Sequence, residues 1–115
     1  MEIREGINKN DPKLAINYNN LGMFYLDAGK LEDALEWEWK AIETDLRFRG
    51  PNHPDVAIDC FNYAKILLKM GKADSAMPYL CRSREIEENC KNKKRLEEID
   101  ELIDEITEEK NKNVH

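Results

Sequence analysis

The sequence predicts an all-α protein, an α-solenoid of antiparallel helical hairpins built from two full repeats and a C-terminal capping helix. Residues recur at a fixed offset of 42, and each copy holds two apolar stripes at helical spacing separated by a glycine. A unit this short cannot bury its own apolar face, so neighbouring copies are expected to stack. The recurring pairs are Asn10/Asn52, Pro12/Pro54, Ala15/Ala57, Ile16/Ile58, Asn20/Asn62, Leu26/Leu68, Gly29/Gly71, Lys30/Lys72, Ala34/Ala76 and Glu43/Glu85.

The first copy predicts a helical hairpin over residues 12–49. Asp11 is expected to cap a helix whose first turn contains Pro12, because proline loses no hydrogen bond at that position. Gly29 is expected to end this helix. A second apolar stripe follows it and ends near Gly50, where a Gly-Pro turn signal closes the hairpin.

The second copy predicts a matching hairpin over residues 54–90, broken at Gly71, with Pro78 early in its second helix. A last amphipathic helix is predicted over residues 93–112. It has no partner helix after it, so we expect it to cap the stack. Its carboxylates are expected to keep the outer face of the helix solvated. The alternative is that its apolar stripe forms a coiled-coil seam with another chain. The stripe consists of Leu96, Ile99, Ile103 and Ile106.

Composition limits the function classes. The chain of 115 residues is 37% charged and 41% apolar, with a formal net charge of −6, which disfavours general binding to nucleic acid. No segment approaches the ~20 apolar residues of a membrane span, and the polar first ten residues do not resemble a signal peptide. We therefore expect a cytoplasmic protein. Its three cysteines are expected to be reduced and to serve as buried small hydrophobes.

The sequence offers no enzyme motif. The two histidines, His53 and His115, have no glutamate three residues before them, which excludes the paired ligands of a di-iron bundle. Phosphate-cradling, nucleophile-elbow and zinc-protease motifs are absent, and the cysteine spacing does not suit zinc. We therefore expect no catalytic residue, no bound metal and no cofactor.

The repeat resembles the tetratricopeptide repeat family. The W-x2-L-G-x2-Y signature is matched with tyrosine in place of tryptophan, and the match is looser in the second copy. The matching residues of the first copy are Tyr18, Leu21, Gly22, Tyr25, Ala34 and Ala41. The linker from Gly50 to Ala57 is similar to the extended variety found in kinesin light chains. The resemblance covers roughly residues 1–90, and residues 1–10 align with residues 43–52 as the possible remnant of a preceding repeat.

One departure from the family pattern lies on the second helix of the first copy. Glu38 stands where the family usually has a large apolar residue, and it is flanked by Trp37 and Trp39. Residues two apart on a helix point ~200° from each other, so the two indoles cannot share a face. Either both make ordinary core contacts, or one packs inside the hairpin and the other against a neighbouring repeat or a partner chain.

The resemblance implies a protein that binds a peptide or a partner protein on a concave surface lined by the first helices. Carried over residue by residue, that surface contains Asn19, Asn20, Met23, Asp27, Phe61, Asn62, Lys65 and Lys69. Asn20 and Asn62 are expected to clamp a peptide backbone, because an amide both donates and accepts hydrogen bonds. Lys65 and Lys69 are expected to receive an acidic side chain or a terminal carboxylate. The alternative is that the lysines are only solvated and the asparagines only join adjacent repeats.

The repeat number raises a second functional hypothesis. Two repeats are fewer than the three usually needed for independent stability, which indicates either a piece of a longer array or self-association. Self-association would use Met1 to Ile7 and the first hairpin. In that case the chain is a structural or oligomerisation subunit without a ligand in its groove.

Overall fold

The structure, a computed structural model, describes the backbone of residues 11–112 and the side chains of residues 11–110. That part of the chain is helical and contains no strand, which confirms the predicted all-α class. Its helices are α1 Leu14–Asp27, α2 Leu31–Arg49, α3 Pro54–Lys69, α4 Ala73–Cys90 and α5 Lys93–Lys112. The predicted remnant of a preceding repeat in residues 1–10 lies outside the described residues.

Glycines end the first helix of each hairpin, as the sequence predicts. Gly29 has φ +80° and Gly71 has φ +77°, a left-handed conformation that costs glycine little. In each turn the next residue, Lys30 or Lys72, donates its backbone N–H to the carbonyl five positions earlier, at 2.9 Å. These bonds satisfy carbonyls that the helix end would otherwise leave unpaired.

The helix starts differ between the copies. His53 caps α3 by accepting a hydrogen bond from the N–H of Asp55 at 3.0 Å. Asp11 accepts a bond from the N–H of Lys13 at 2.9 Å, but Lys13 is the N-cap of α1 and no side chain caps this helix, so the predicted cap by Asp11 is wrong. The following turn is closed by i to i+3 bonds, so α1 begins only at Leu14, two residues after the predicted start.

The helices pack in chain order, α1 on α2, α2 on α3, α3 on α4, and α4 on α5. The described part of the chain is elongated, with extents of 57 × 32 × 18 Å. Ile99 and Ile106 of α5 are buried in the main core cluster with residues of α3 and α4. The stripe of α5 is therefore used within this chain, and the coiled-coil alternative is wrong.

The two indoles occupy different environments. Trp37 stacks on Tyr18 inside the first hairpin, with ring centroids 5.8 Å apart. Trp39 lies 5.7 Å from the ring of Tyr63, in the second repeat, and remains 41% exposed. The hypothesis of one tryptophan within the hairpin and one against the neighbouring repeat is the correct one.

The prediction for the cysteines holds for one of three. Cys60 is buried, whereas Cys81 and Cys90 are exposed. The buried positions of α4 include Leu80 and Ser83, and Cys81 lies one position off this stripe, so its side chain points outward. Cys90 is the last residue of the same helix.

Candidate functional site

The residues predicted to line the concave surface lie on α1 and α3, but they differ in accessibility. Asn20, Asp27 and Lys69 are exposed, and Asn19, Met23 and Lys65 are half-buried. Phe61 is only 6% exposed and Asn62 only 8%. The two most buried members therefore present little of their side chains to a ligand.

The asparagines form part of the contact between the repeats. Asn62 Nδ2 donates to Asn19 Oδ1 at 2.9 Å, and Asn19 Nδ2 donates to Asp59 Oδ1 at 3.3 Å. The chain of bonds joins α1 to α3. Asn62 is thus a joining residue in this structure, whereas Asn20, its counterpart in the first repeat, is exposed.

Lys65 and Arg95 place their cationic groups over the ring of Phe61. Lys65 Nζ lies 5.1 Å from the centroid of the Phe61 ring, and the guanidinium of Arg95 lies 5.5 Å from it. Arg95 is paired with the buried Glu87 at 3.3 Å. Among residues 11–110, neither Lys65 nor Lys69 belongs to an ion pair.

A cavity of about 620 Å³ continues from the end of α3. Its wall combines Lys69 and Met70 with the turn that joins α1 to α2. Lys30, Glu32 and Asp33 also line it, so two lysines and two acidic residues border the depression at the carboxyl end of α3.

Three buried carboxyl groups lie next to this surface, between the repeats. Glu38 is 0% exposed, Asp59 2% and Asp45 3%. Neither oxygen of Glu38 nor the Oδ2 atom of Asp59 has a hydrogen-bond donor facing it within the described side chains. A buried carboxylate without donors is costly, and protonation removes that cost.

The environment of these groups favours their protonated forms. Burial raises the pKa of Glu38 from 4.5 to about 8, against the opposing effects of the Lys65 charge and the Asn62 amide. Burial also raises the pKa of Asp59 well above its ordinary value, and a hydrogen bond with Asp45 and the charge of Asp45 add to the rise. Burial and the neighbouring Asp45 therefore both favour the protonated form of Asp59.

Arg49 closes the outer end of the acidic layer. Its Nε atom lies 3.3 Å from Asp45 Oδ1 and 3.1 Å from Asp55 Oδ2. A cavity of about 220 Å³ adjoins these groups, and Asn19, Ile16 and Asp59 are among its walls. Arg49 therefore bridges the buried carboxyl group of Asp45 and the more exposed carboxyl group of Asp55.

The sequence contains a signal for these buried acids. Reasoning from the family pattern finds Glu38 but misses Asp45 and Asp59. Along α2 the buried positions include Ala34, Glu38, Ala41 and Asp45, spaced three and four apart. Two acids at core-facing positions of one stripe indicate a buried polar layer.

The described residues hold no group of three or more His, Cys, Asp or Glu side chains arranged for a metal ion. Within residues 11–112, no helix has the length and apolar composition needed to cross a membrane. The geometry defines a helical-repeat protein with a polar surface along its first helices.

Comparison with known families identifies this repeat. A family model described as tetratricopeptide repeat matches residues 13–89, more than half of the chain. The chain therefore belongs to the tetratricopeptide repeat family, whose repeats are in general modules for protein interaction. A comparison with curated proteins finds no match. The similarity of the long linker to kinesin light chains stays a prediction.

Proposed function

We propose that the chain is a non-catalytic interaction module that binds an acidic, extended peptide or a partner segment along α1 and α3. The observation that carries this proposal is the pair Lys65 and Lys69. The two residues lie one turn apart on α3, and neither belongs to an ion pair within residues 11–110. The protein as a whole has a net charge of −6. Cations left unpaired in an acidic protein are available to a partner's carboxylates.

The rest of the surface complements these cations. Met23 of α1 is half-buried and offers apolar contact, while Asp27 is exposed. The ring of Phe61 makes a cation–π contact with the ammonium group of Lys65. Of the two asparagines proposed as clamps, Asn20 is the accessible one, and Asn62 reaches a ligand only by releasing its bond to Asn19.

A cytoplasmic location and a protein rather than nucleic-acid ligand belong to the same proposal. Cys60, Cys81 and Cys90 are all free, as thiols are in a reducing compartment. The net charge of −6 repels a phosphate backbone.

The test is a peptide array of acidic, neutral and basic sequences with free and amidated carboxyl ends. It compares the wild-type chain with Lys65→Glu/Lys69→Glu and with Asn20→Ala/Asn62→Ala. Reversing both lysines should weaken binding of acidic peptides at least tenfold, which corresponds to about 1.4 kcal/mol.

The matched control is Lys91→Glu/Lys94→Glu, which makes the same charge change at two exposed positions beside the α4–α5 turn. This variant should keep its acidic peptides. An equal loss of peptide binding in both lysine variants would show that the net charge of the protein, and not this surface, determines binding. If Lys65→Glu/Lys69→Glu still binds every peptide that the wild type captures, the proposed peptide site is refuted.

A second candidate function, that of a structural subunit that self-associates through the first hairpin, is favoured by a different observation. Phe24 of α1 is 64% exposed, whereas Ile66, at the equivalent position of the second repeat, is 0% exposed. Sedimentation separates the two candidates, because an obligate assembly does not persist as a monomer.

A further inference from the structure

One face of α1 carries an apolar stripe that the described chain leaves open. Ile16, Asn20 and Phe24 lie at positions i, i+4 and i+8, which stack along one side of a helix. Asn20 is exposed. Ile16 is 58% exposed and Phe24 64%, the two highest values among the exposed large hydrophobic side chains of the described residues.

The second repeat contains the same pattern and buries it. Ile58, Asn62 and Ile66 occupy the equivalent positions of α3, 42 residues further on. Ile66 is 0% exposed and Asn62 8%, because the first hairpin packs against this side of α3. Within this molecule, the pattern is therefore one that packs against another helix.

The charge distribution indicates what covers the stripe. From Leu14 to Leu26, α1 has no Asp, Glu, Lys or Arg, although 37% of the whole chain is charged. Exposed apolar side chains on a helix segment without charged residues are typical of an interaction surface. The outward face of α5 is acidic, so packing it on α1 would bury carboxylates without partners. Its exposed acids include Glu97, Glu98, Glu101, Asp104, Glu105 and Glu108.

The stripe is also self-complementary. Ile16 and Phe24 lie four residues on either side of Asn20, about 6 Å along the helix axis. A two-fold axis through Asn20 therefore places each Phe24 on Ile16 of a second copy. It also brings the two Asn20 amides together, and each amide can both donate and accept a hydrogen bond. Such pairing of one surface with itself is what a closed dimer requires.

We propose that a second copy of this chain covers the α1 stripe, in a dimer with α1 antiparallel to α1 of the second copy and Asn20 on the two-fold axis. This inference rests on the second candidate function, self-association. It adds which face of α1 forms the dimer, the two-fold symmetry of the contact and the residue on its axis. Asn20 belongs to both surfaces, so a peptide bound to the dimer would be held by Lys65 and Lys69 and not by Asn20.

Sedimentation equilibrium of the full chain at micromolar and higher concentrations tests the assembly. The wild type should reach twice the chain mass of 13.5 kDa and stop there. Asn20→Asp, which opposes two carboxylates on the axis, and Phe24→Glu should each weaken the dimer at least tenfold. The control is Leu46→Glu, because Leu46 is a 41% exposed hydrophobic side chain on α2, and this variant should dimerise normally.

Mixing charged variants tests the axis. Asn20→Asp and Asn20→Lys should each be monomeric alone and should form a mixed dimer together. Circular dichroism of each variant confirms that it is folded. These substitutions are at an exposed position, so they should not affect the fold.

Oxidative cross-linking tests the register, in a background with Cys81→Ser and Cys90→Ser. Asn20→Cys should form a disulfide with itself across the axis. Phe24→Cys should not, because two such residues lie about 12 Å apart along the helices, beyond the reach of a disulfide. A wild type that stays monomeric would contradict both self-association and this face. A dimer that survives Asn20→Asp, or mass that grows past a dimer, would leave self-association standing and refute the two-fold α1 contact.

Discussion

Replacing Glu38 with glutamine is expected to remove a large part of the pH dependence of this protein's stability. Glu38 is fully buried beside Gly22, so close that a Cβ atom added to Gly22 would lie 2.6 Å from Glu38 Oε2. Burial raises the pKa of Glu38 from 4.5 to about 8. Glutamine has nearly the same shape and cannot ionise, so it reproduces the neutral form at every pH.

The magnitude follows from the difference between folded and unfolded pKa values. Below pH 4.5 both states carry the proton, so the ionisation of Glu38 costs no stability. Between pH 4.5 and 8 the unfolded state releases its proton while the folded state retains it, so stability falls as pH rises. Above pH 8 both states are ionised and the loss is complete. At about 1.36 kcal/mol per pKa unit the whole loss is about 5 kcal/mol.

The assay is urea unfolding followed by far-ultraviolet circular dichroism, at several pH values from 5 to 9. The difference in unfolding free energy between Glu38→Gln and wild type should grow in favour of the variant as pH rises, because other titrating groups largely cancel. The control is Glu43→Gln, at an exposed position of the same helix, whose difference should stay flat. Parallel curves for wild type and Glu38→Gln would refute the buried neutral carboxyl.

Three further substitutions test the contacts between and within the repeats. Asp59→Asn removes a buried carboxyl group whose pKa is raised, so this variant should gain stability over wild type above neutral pH in the same urea assay. A loss of stability there would contradict a buried, protonated Asp59. Gly22→Ala should lower the free energy of unfolding by about 1 kcal/mol net, because overpacking against Glu38 outweighs the better helix propensity of alanine. In a double-mutant cycle with Glu38→Ala this cost should disappear. Ser83→Ala removes a buried hydrogen bond of 2.8 Å to a backbone carbonyl of α3 and should cost about 1 kcal/mol in thermal unfolding, which an unchanged midpoint would disprove.

The sequence predicted the parts of the fold that depend on local signals. The turns at Gly29 and Gly71 follow from the steric freedom of glycine at positive φ, and the 42-residue period then fixes the order of packing. The predicted limits of the last helix, residues 93–112, agree with α5 because its apolar spacing is regular and a left-handed Lys91 ends the helix before it.

The details of the site depended on tertiary packing, which the sequence does not encode locally. Asn20 and Asn62 are equivalent in the repeat, yet only Asn62 has a hairpin against it, so the two side chains differ in exposure. Phe61 sits beneath Arg95 of α5, a neighbour from another part of the chain. The raised pKa of Asp59 arises from burial and from Asp45, which lies on a helix that meets α3 only in the folded state.

The proposed function is tested most directly by a nuclear magnetic resonance titration with an acidic peptide that has a free carboxyl end and was selected on the array. The peptide should shift backbone amide resonances around Met23, Lys65 and Lys69 in the wild-type chain. These shifts should disappear in Lys65→Glu/Lys69→Glu. Shifts centred on the outer face of α4 or α5, or the same shifts in the lysine variant, would contradict the proposed function.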